Sequence, residues 1–131
     1  MIDFKNKVFI ITGGGTGIGK TTALKLADMG AKLVINYSSS ETEAKKVVEE
    51  IAEKGGIAFA FKANVANEQE VNAMIYQTIA QFGRLDGLVN NASITAQIPM
   101  NDLESVTDDV WDSLYDVNVK GMFHCVKAAV P

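Results

Sequence analysis

An unbroken apolar run, Val-Phe-Ile-Ile at 8–11, gives way at Thr12 to the glycine-dense stretch TGGGTGIGKTT. Consecutive apolar residues without alternation suit a strand covered on both faces, as in a parallel sheet. The glycines let the chain turn sharply and direct backbone N–H groups, at the positive end of the following helix, toward a phosphate. Few local patterns restrict a fold more, because a strand buried on both faces needs parallel neighbours beside it and helices above and below.

The rest of the chain has the pattern to supply them. A helix over 18–29 closes at Gly30, placed as a C-terminal cap. KLVINY at 32–37 reads as a second strand, and Ser40 with Glu43 has capping-box spacing ahead of a helix whose stripe is Ala44, Val47, Val48 and Ile51. Gly55 and Gly56 end that helix, IAFAFKANV at 57–65 gives a third strand, and Asn67 with Glu70 offers a second box. Val71, Met74, Ile75, Thr78, Ile79 and Phe82 trace the next helix; Gly83 precedes a fourth strand, LDGLVNN at 85–91. A Pro-containing loop leads to a last helix over 107–130, striped by Trp111, Leu114, Tyr115, Asn118, Met122 and Cys125. Four β-α units predict an α/β fold, a parallel sheet with right-handed crossovers, in one domain spanning 1–131. Such sheets bind ligands beyond the carboxyl ends of their strands.

At 131 residues and 47% hydrophobic content the chain can bury one core. Twelve basic against sixteen acidic residues, net charge −4, with no basic stripe, argue against a nucleic-acid partner. No apolar run approaches the roughly 20 residues needed to span a bilayer, so no membrane association is expected. The single cysteine precludes an intrachain disulfide, and MIDFKNK at the start lacks the apolar core of a secretion signal, which predicts a cytoplasmic protein. His124 and Cys125 are adjacent on a helix and do not share a face, and no metal-ligand spacing surrounds them. A buried Cys, a half-buried His and no metal are expected.

The glycine stretch has two readings. From Gly14, GGTGIGKT satisfies G-x-x-x-x-G-K-T, the nucleoside-triphosphate loop, with Lys20 reaching the terminal phosphates. From Thr12, TGGGTGIG is a T-G-x-x-x-G-x-G dinucleotide turn. A triphosphatase needs a magnesium-binding Asp at the end of another buried strand. The other strands end VINY, ANV and LVNN, and Asp86 starts its strand at the opposite edge. The dinucleotide reading requires the second strand to end roughly 20 residues beyond the glycines, facing the adenosine ribose, and Tyr37, Ser38 and Ser39 stand there. Gly13 would then permit the tight turn, Gly17 the approach of backbone to pyrophosphate, and Gly19 close packing of the helix on the sheet. Gly15, Thr16 and Ile18 complete the phosphate-facing turn, and Thr12 ties it to neighbouring backbone.

In order along the chain, TGGGTGIG, NV at Asn64 and Val65, NNAS at 90–93 and VNVKG at 117–121 resemble four motifs of the short-chain dehydrogenase/reductase family, at its spacing. LVINYSSSETEA and FGRLDGLVNNA are most similar to its 3-oxoacyl-[acyl-carrier-protein] reductase and glucose 1-dehydrogenase branches. The resemblance implies a Rossmann-type doubly wound parallel sheet of strand order 3-2-1-4, and hydride transfer between a nicotinamide and a small carbonyl or alcohol substrate. It places Asn64 and Val65 on the adenine and Asn91 and Ala92 on the ribose side of the nicotinamide. Ser93 stands where the family has Gly, and Asn64 where many members have Asp. Asn118 resembles the helix Asn that holds a water in the family's proton relay. NAD-preferring members carry Asp at the position of Tyr37. Its absence leans toward NADP, with NAD the alternative, although the Arg common in NADP-preferring members is missing at Thr16 and Ser38. The last helix builds a subunit interface in the family, implying a homo-oligomer, dimer or tetramer.

The family's Tyr-x-x-x-Lys has no counterpart: Tyr37, Tyr76 and Tyr115 are followed four residues later by Glu41, Ala80 and Val119. The chain therefore resembles the N-terminal portion of the family, a catalytically incomplete fragment; a noncatalytic dinucleotide-binding or self-associating module is the alternative. An uncovered edge on strand four and the apolar face of the last helix would invite association.

Overall fold

The computed structural model describes residues 2–130. Its sheet runs β3-β2-β1-β4, formed by β1 (Val8–Ile11), β2 (Lys32–Tyr37), β3 (Ala58–Lys62) and β4 (Gly87–Val89), all pairs parallel, so the predicted order stands. Helices α1 (Gly17–Asp28), α2 (Glu41–Glu53) and α3 (Glu68–Phe82) connect them.

Apolar runs without polar alternation are explained by two cores. Ile11, Leu33 and Ile35 point to one face, where Ala23, Ala44, Val47 and Ile51 cover them. Ile10 and Val34 point to the other, against Val65, Val71, Met74 and Cys125. Successive residues of one strand thus enter opposite cores, as the two-residue period requires. Phe59 and Phe61 of β3 join the second core while Ala58 and Ala60 join the first.

Three local expectations need correction. Ser40 does precede α2, but its backbone (φ −89°, ψ 57°) is not the extended conformation from which a cap side chain reaches back, and the Ser40–Glu43 box does not form. Asn67 caps α3 by accepting from Glu70 N, yet the Glu70 carboxylate accepts from Asn64 N and not from the cap itself. The last helix is interrupted: α4 (Asp108–Tyr115) and α5 (Gly121–Ala129) are joined by a π turn over Asp116–Lys120. Among the described residues no helix is long and apolar enough to cross a membrane.

At the amino end of the sheet, Asp86 accepts from Val8 N at 2.9 Å and from Arg84 through both oxygens, at 2.8 and 2.7 Å. The Arg84 bonds, helped by the Val8 N–H and opposed by desolvation, hold its carboxyl below the ordinary carboxylate range. A depressed folded pKa contributes stability at pH values above the unfolded pKa, and that contribution disappears as pH falls through the folded value. Asp86→Ala also strands the N–H of the fully buried Val8. It should cost about 1–2 kcal/mol in urea denaturation at pH 7. The gap to the unmutated chain should shrink at pH 3; an equal gap at both pH values would rule out the carboxylate as its source.

Candidate functional site

The carboxyl ends of the four strands open onto a cavity of about 470 Å³. The glycine turn forms one wall through Gly13, Gly15, Thr16, Gly17 and Ile18. Tyr37, Ser38, Ser39 and Ser40 close the β2 side, Asn64 and Val65 the β3 side, and Asn91, Ala92, Ser93 and Ile94 the β4 side. Every residue predicted to contact a cofactor lines this cavity except Thr12 and Gly19, which stand behind it.

Those two hold the wall in place. Thr12 Oγ1 accepts from Asn91 N and Ala92 N, both at 2.9 Å, and donates to Val89 O at 3.3 Å, tying the end of β1 to the end of β4. Asn91 Nδ2 in turn donates to Gly13 O at 3.0 Å. A Cβ on Gly19 would fall 2.5 Å from Asn91 Nδ2 and closer still to Gly13 O. The third glycine thus lets α1 start against the turn and Asn91, and not, as expected, against the sheet.

Asn36 was missed as a functional position, although a polar residue inside KLVINY was its signal. It is 1% exposed. Its Oδ1 accepts from Gly13 N at 3.2 Å, and its Nδ2 donates to Ala63 O at 3.0 Å and Phe61 O at 3.3 Å. Its own carbonyl accepts from Gly14 N at 3.0 Å. One side chain therefore fixes the glycine turn relative to the ends of β2 and β3.

The start of α1 differs from its counterparts. Glu41 and Glu43 occupy the first turn of α2, and Glu68 and Glu70 that of α3; the first turn of α1 holds no acidic residue, and Thr16 makes no side-chain cap bond. Unsatisfied N–H groups and the positive helix end consequently face the cavity. Gly17, at φ +52°, would carry a Cβ with nothing within 4 Å of it, so the space in front of the turn is open. These features suit an anionic group such as a pyrophosphate. They do not suit a triphosphatase: Lys20 is exposed and absent from the cavity wall, and no Asp or Glu is among the described residues that line it.

Asn118, in the π turn, accepts from Ile94 N and donates to Ile94 O, both at 2.9 Å, and so clamps the loop after β4. Asn64 Oδ1 accepts from Ala66 N, shaping the turn after β3. Cys125 is fully buried, and desolvation pushes its thiol up to about 11, so at neutral pH it is no nucleophile. His124 is half-buried, as expected, with Nδ1 2.8 Å from Val65 O. Among the described residues no group of three or more His, Cys, Asp or Glu could hold a metal ion.

The family model described as short chain dehydrogenase matches residues 7–131, and the chain belongs to this family. It is 50% identical over 105 residues to the short-chain dehydrogenase/reductase homolog YusS of Bacillus subtilis, covering 80% of this chain and 96% of that protein. To the 3-oxoacyl-[acyl-carrier-protein] reductase FabG of Staphylococcus aureus strain Mu50 it is 46% identical over 125 residues, 95% of this chain and 50% of the relative. A crystal structure of a short chain dehydrogenase from Burkholderia cenocepacia in complex with NADP superposes with a TM-score of 0.90 at 35% identity, over 98% of this chain and 51% of that one. A dehydrogenase/reductase from Sinorhizobium meliloti gives 0.91 at 32% identity, over 98% and 50%. The chain thus spans about half the length of the reductase and of both crystal structures.

Proposed function

We propose that residues 1–131 form a single dinucleotide-binding domain that takes NADP, with NAD as the alternative, in a short-chain oxidoreductase acting on a small carbonyl or alcohol. The observation that carries this reading is the uncapped, acid-free start of α1 opening through Gly17 onto the cavity at the strand ends. NADP in the Burkholderia relative supports the choice of cofactor. When bound, the nicotinamide supplies the hydride.

The chain's own residues bind and orient. N–H groups of the glycine turn hold the pyrophosphate, with Gly15, Thr16 and Ile18 shaping the approach. Tyr37, Ser38 and Ser39 meet the adenosine ribose, where no carboxylate among the described residues lines the cavity to repel a 2′-phosphate. Asn64 and Val65 flank the adenine; Asn91, Ala92 and Ser93 flank the nicotinamide ribose, on a loop that Asn118 fixes through Ile94. None of the three tyrosines has a Lys four residues on, so these residues alone hold the cofactor without moving the substrate's proton by that route. Exposed Trp111, Tyr115, Met122 and Phe123 on the last helix support self-association, and the unpaired, buried Cys125 suits a cytoplasmic setting.

Titration of the purified chain with NADPH and NADH, followed by nicotinamide fluorescence, tests the reading. Saturable enhancement, tighter for NADPH, with no consumption of NADPH when carbonyl compounds are added, is expected. No binding of either nucleotide at millimolar concentration would sink it.

A further inference from the structure

The last helix touches the cavity wall a second time, at the end opposite Asn118. A Cβ on Gly121 would lie 2.6 Å from Val65 Cγ2, so the helix backbone comes directly against that side chain. One turn on, His124 Nδ1 lies 2.8 Å from Val65 O. A carbonyl oxygen only accepts, so Nδ1 carries the proton and the ring donates. Two turns on, Lys127 Nζ meets Glu68 Oε1 at 2.8 Å, an exposed pair that screening makes weak. Gly121, His124 and Lys127 thus form one stripe along the segment from Val65 to Glu68. The anchor inside it is His124, because Val65 is 5% exposed and its carbonyl is given to the imidazole.

We propose that His124 is a positioning residue for the adenosine half of the dinucleotide, holding the Asn64–Val65 wall at the end of β3 by donating from Nδ1 to the Val65 carbonyl. The inference rests on the nucleotide-binding reading above. It makes the last helix a brace between both ends of the cavity: Asn118 secures the loop after β4 and His124 the turn after β3. His124 acts through Val65 and does not itself line the cavity. The Asn64 side chain, turned back to Ala66 N, and Glu70, turned to Asn64 N, stiffen the same turn, while His124 and the Gly121 contact tie Val65 to the last helix.

Three measurements on the purified chain test it. A long-range proton–nitrogen spectrum of the unmutated chain should show the ring proton on Nδ1; a proton on Nε2 alone would overturn the proposal without any mutation. His124→Phe keeps the ring volume and removes the donor, whereas His124→Asn keeps an amide donor at the reach of Nδ1. Binding of 2′,5′-ADP, which carries the adenosine half alone, should weaken about fivefold in His124→Phe, the worth of one neutral hydrogen bond, and stay within about twofold in His124→Asn. Amide exchange at Asn64 and Ala66 should quicken in the Phe variant only. Unchanged affinity in His124→Phe, or equal losses in both variants, would overturn the proposal. If the unmutated chain bound none of 2′,5′-ADP, NADPH and NADH, the nucleotide reading itself would fall, and this inference with it. Binding by the unmutated chain with no loss in the Phe variant would sink the inference alone.

Discussion

Gly19→Ala should reduce NADPH affinity by a factor on the order of 100, equivalent to about 2.7 kcal/mol. The added methyl group has nowhere to go. Its nearest neighbours are Gly13 O and Asn91 Nδ2, which are bonded to one another. Neither can give way cheaply: Gly13 N is held by Asn36, and Asn91 N by Thr12. The start of α1 must therefore move outward, carrying with it the N–H groups that face the cavity. Alanine in place of a helical glycine returns roughly 0.5–1 kcal/mol of propensity against an overpacking cost of about 1–3 kcal/mol. The net loss of stability should be modest, about 1–2 kcal/mol, so the chain still folds and the loss of binding is interpretable. Gly17→Ala is the control. Its methyl group meets nothing in the protein and projects into the open space before the turn, at a φ of +52° that alanine tolerates poorly. Thermal unfolding and NADPH titration of the two variants check this: both should lose binding, and Gly19→Ala through movement of α1. Full affinity in Gly19→Ala would mean that the turn can relax without cost and that its geometry is not what binds.

What could be read from residue order follows from how local its physical cause is. The β-α alternation was legible because each strand is short and mostly apolar and each helix carries its own apolar stripe. Crossovers fix the hand of each β-α-β unit and not the strand order, so the order 3-2-1-4 came with the family resemblance. The cavity wall was legible where the glycine spacing and the dinucleotide logic fix positions along the chain, as at Gly17 and Tyr37. Four features depend on backbone conformation or on distant partners, and these the pattern did not reveal. Ser40 has the right residue type and spacing for a cap but the wrong ψ, which no spacing rule sees. The π turn at Asp116–Lys120 leaves the apolar stripe of the last helix almost unaltered, so periodicity passes over it. β4 pairs with β1 over only three residues, because beyond Val89 the backbone turns to Thr12 instead of continuing the ladder. Asn36 is the fourth and most consequential: within KLVINY it counts as one polar residue in a buried strand, and its partners lie up to 27 residues away.

Asn36→Leu should accordingly be the most damaging single change to the fold that leaves the core volume nearly intact, costing about 2–4 kcal/mol. Leucine approximates the shape of asparagine and offers no polar atom. Gly13 N and Ala63 O, which the Asn36 side chain pairs across the end of the sheet, would lose their partner, Ala63 O in a buried position and Gly13 N in a half-buried one. The desolvation penalty of such stranded groups exceeds what a leucine side chain of similar volume returns, because Asn36 is already 1% exposed and the exchange removes little further surface from water. Asn36→Asp separates the two halves of the role. A carboxylate can still accept from Gly13 N but has no donor for Ala63 O and Phe61 O, and it would turn an oxygen toward two carbonyls. Both variants should therefore lose stability in urea denaturation, while the Asp variant retains more of the glycine-turn geometry per molecule folded. Amide exchange at Gly13, compared with exchange at Gly14, whose bond to the Asn36 carbonyl neither substitution removes, distinguishes them. Leucine should release Gly13 selectively and aspartate should not. Protection lost equally at both glycines in both variants would mean that the side chain merely fills space and that the turn is held by the backbone alone.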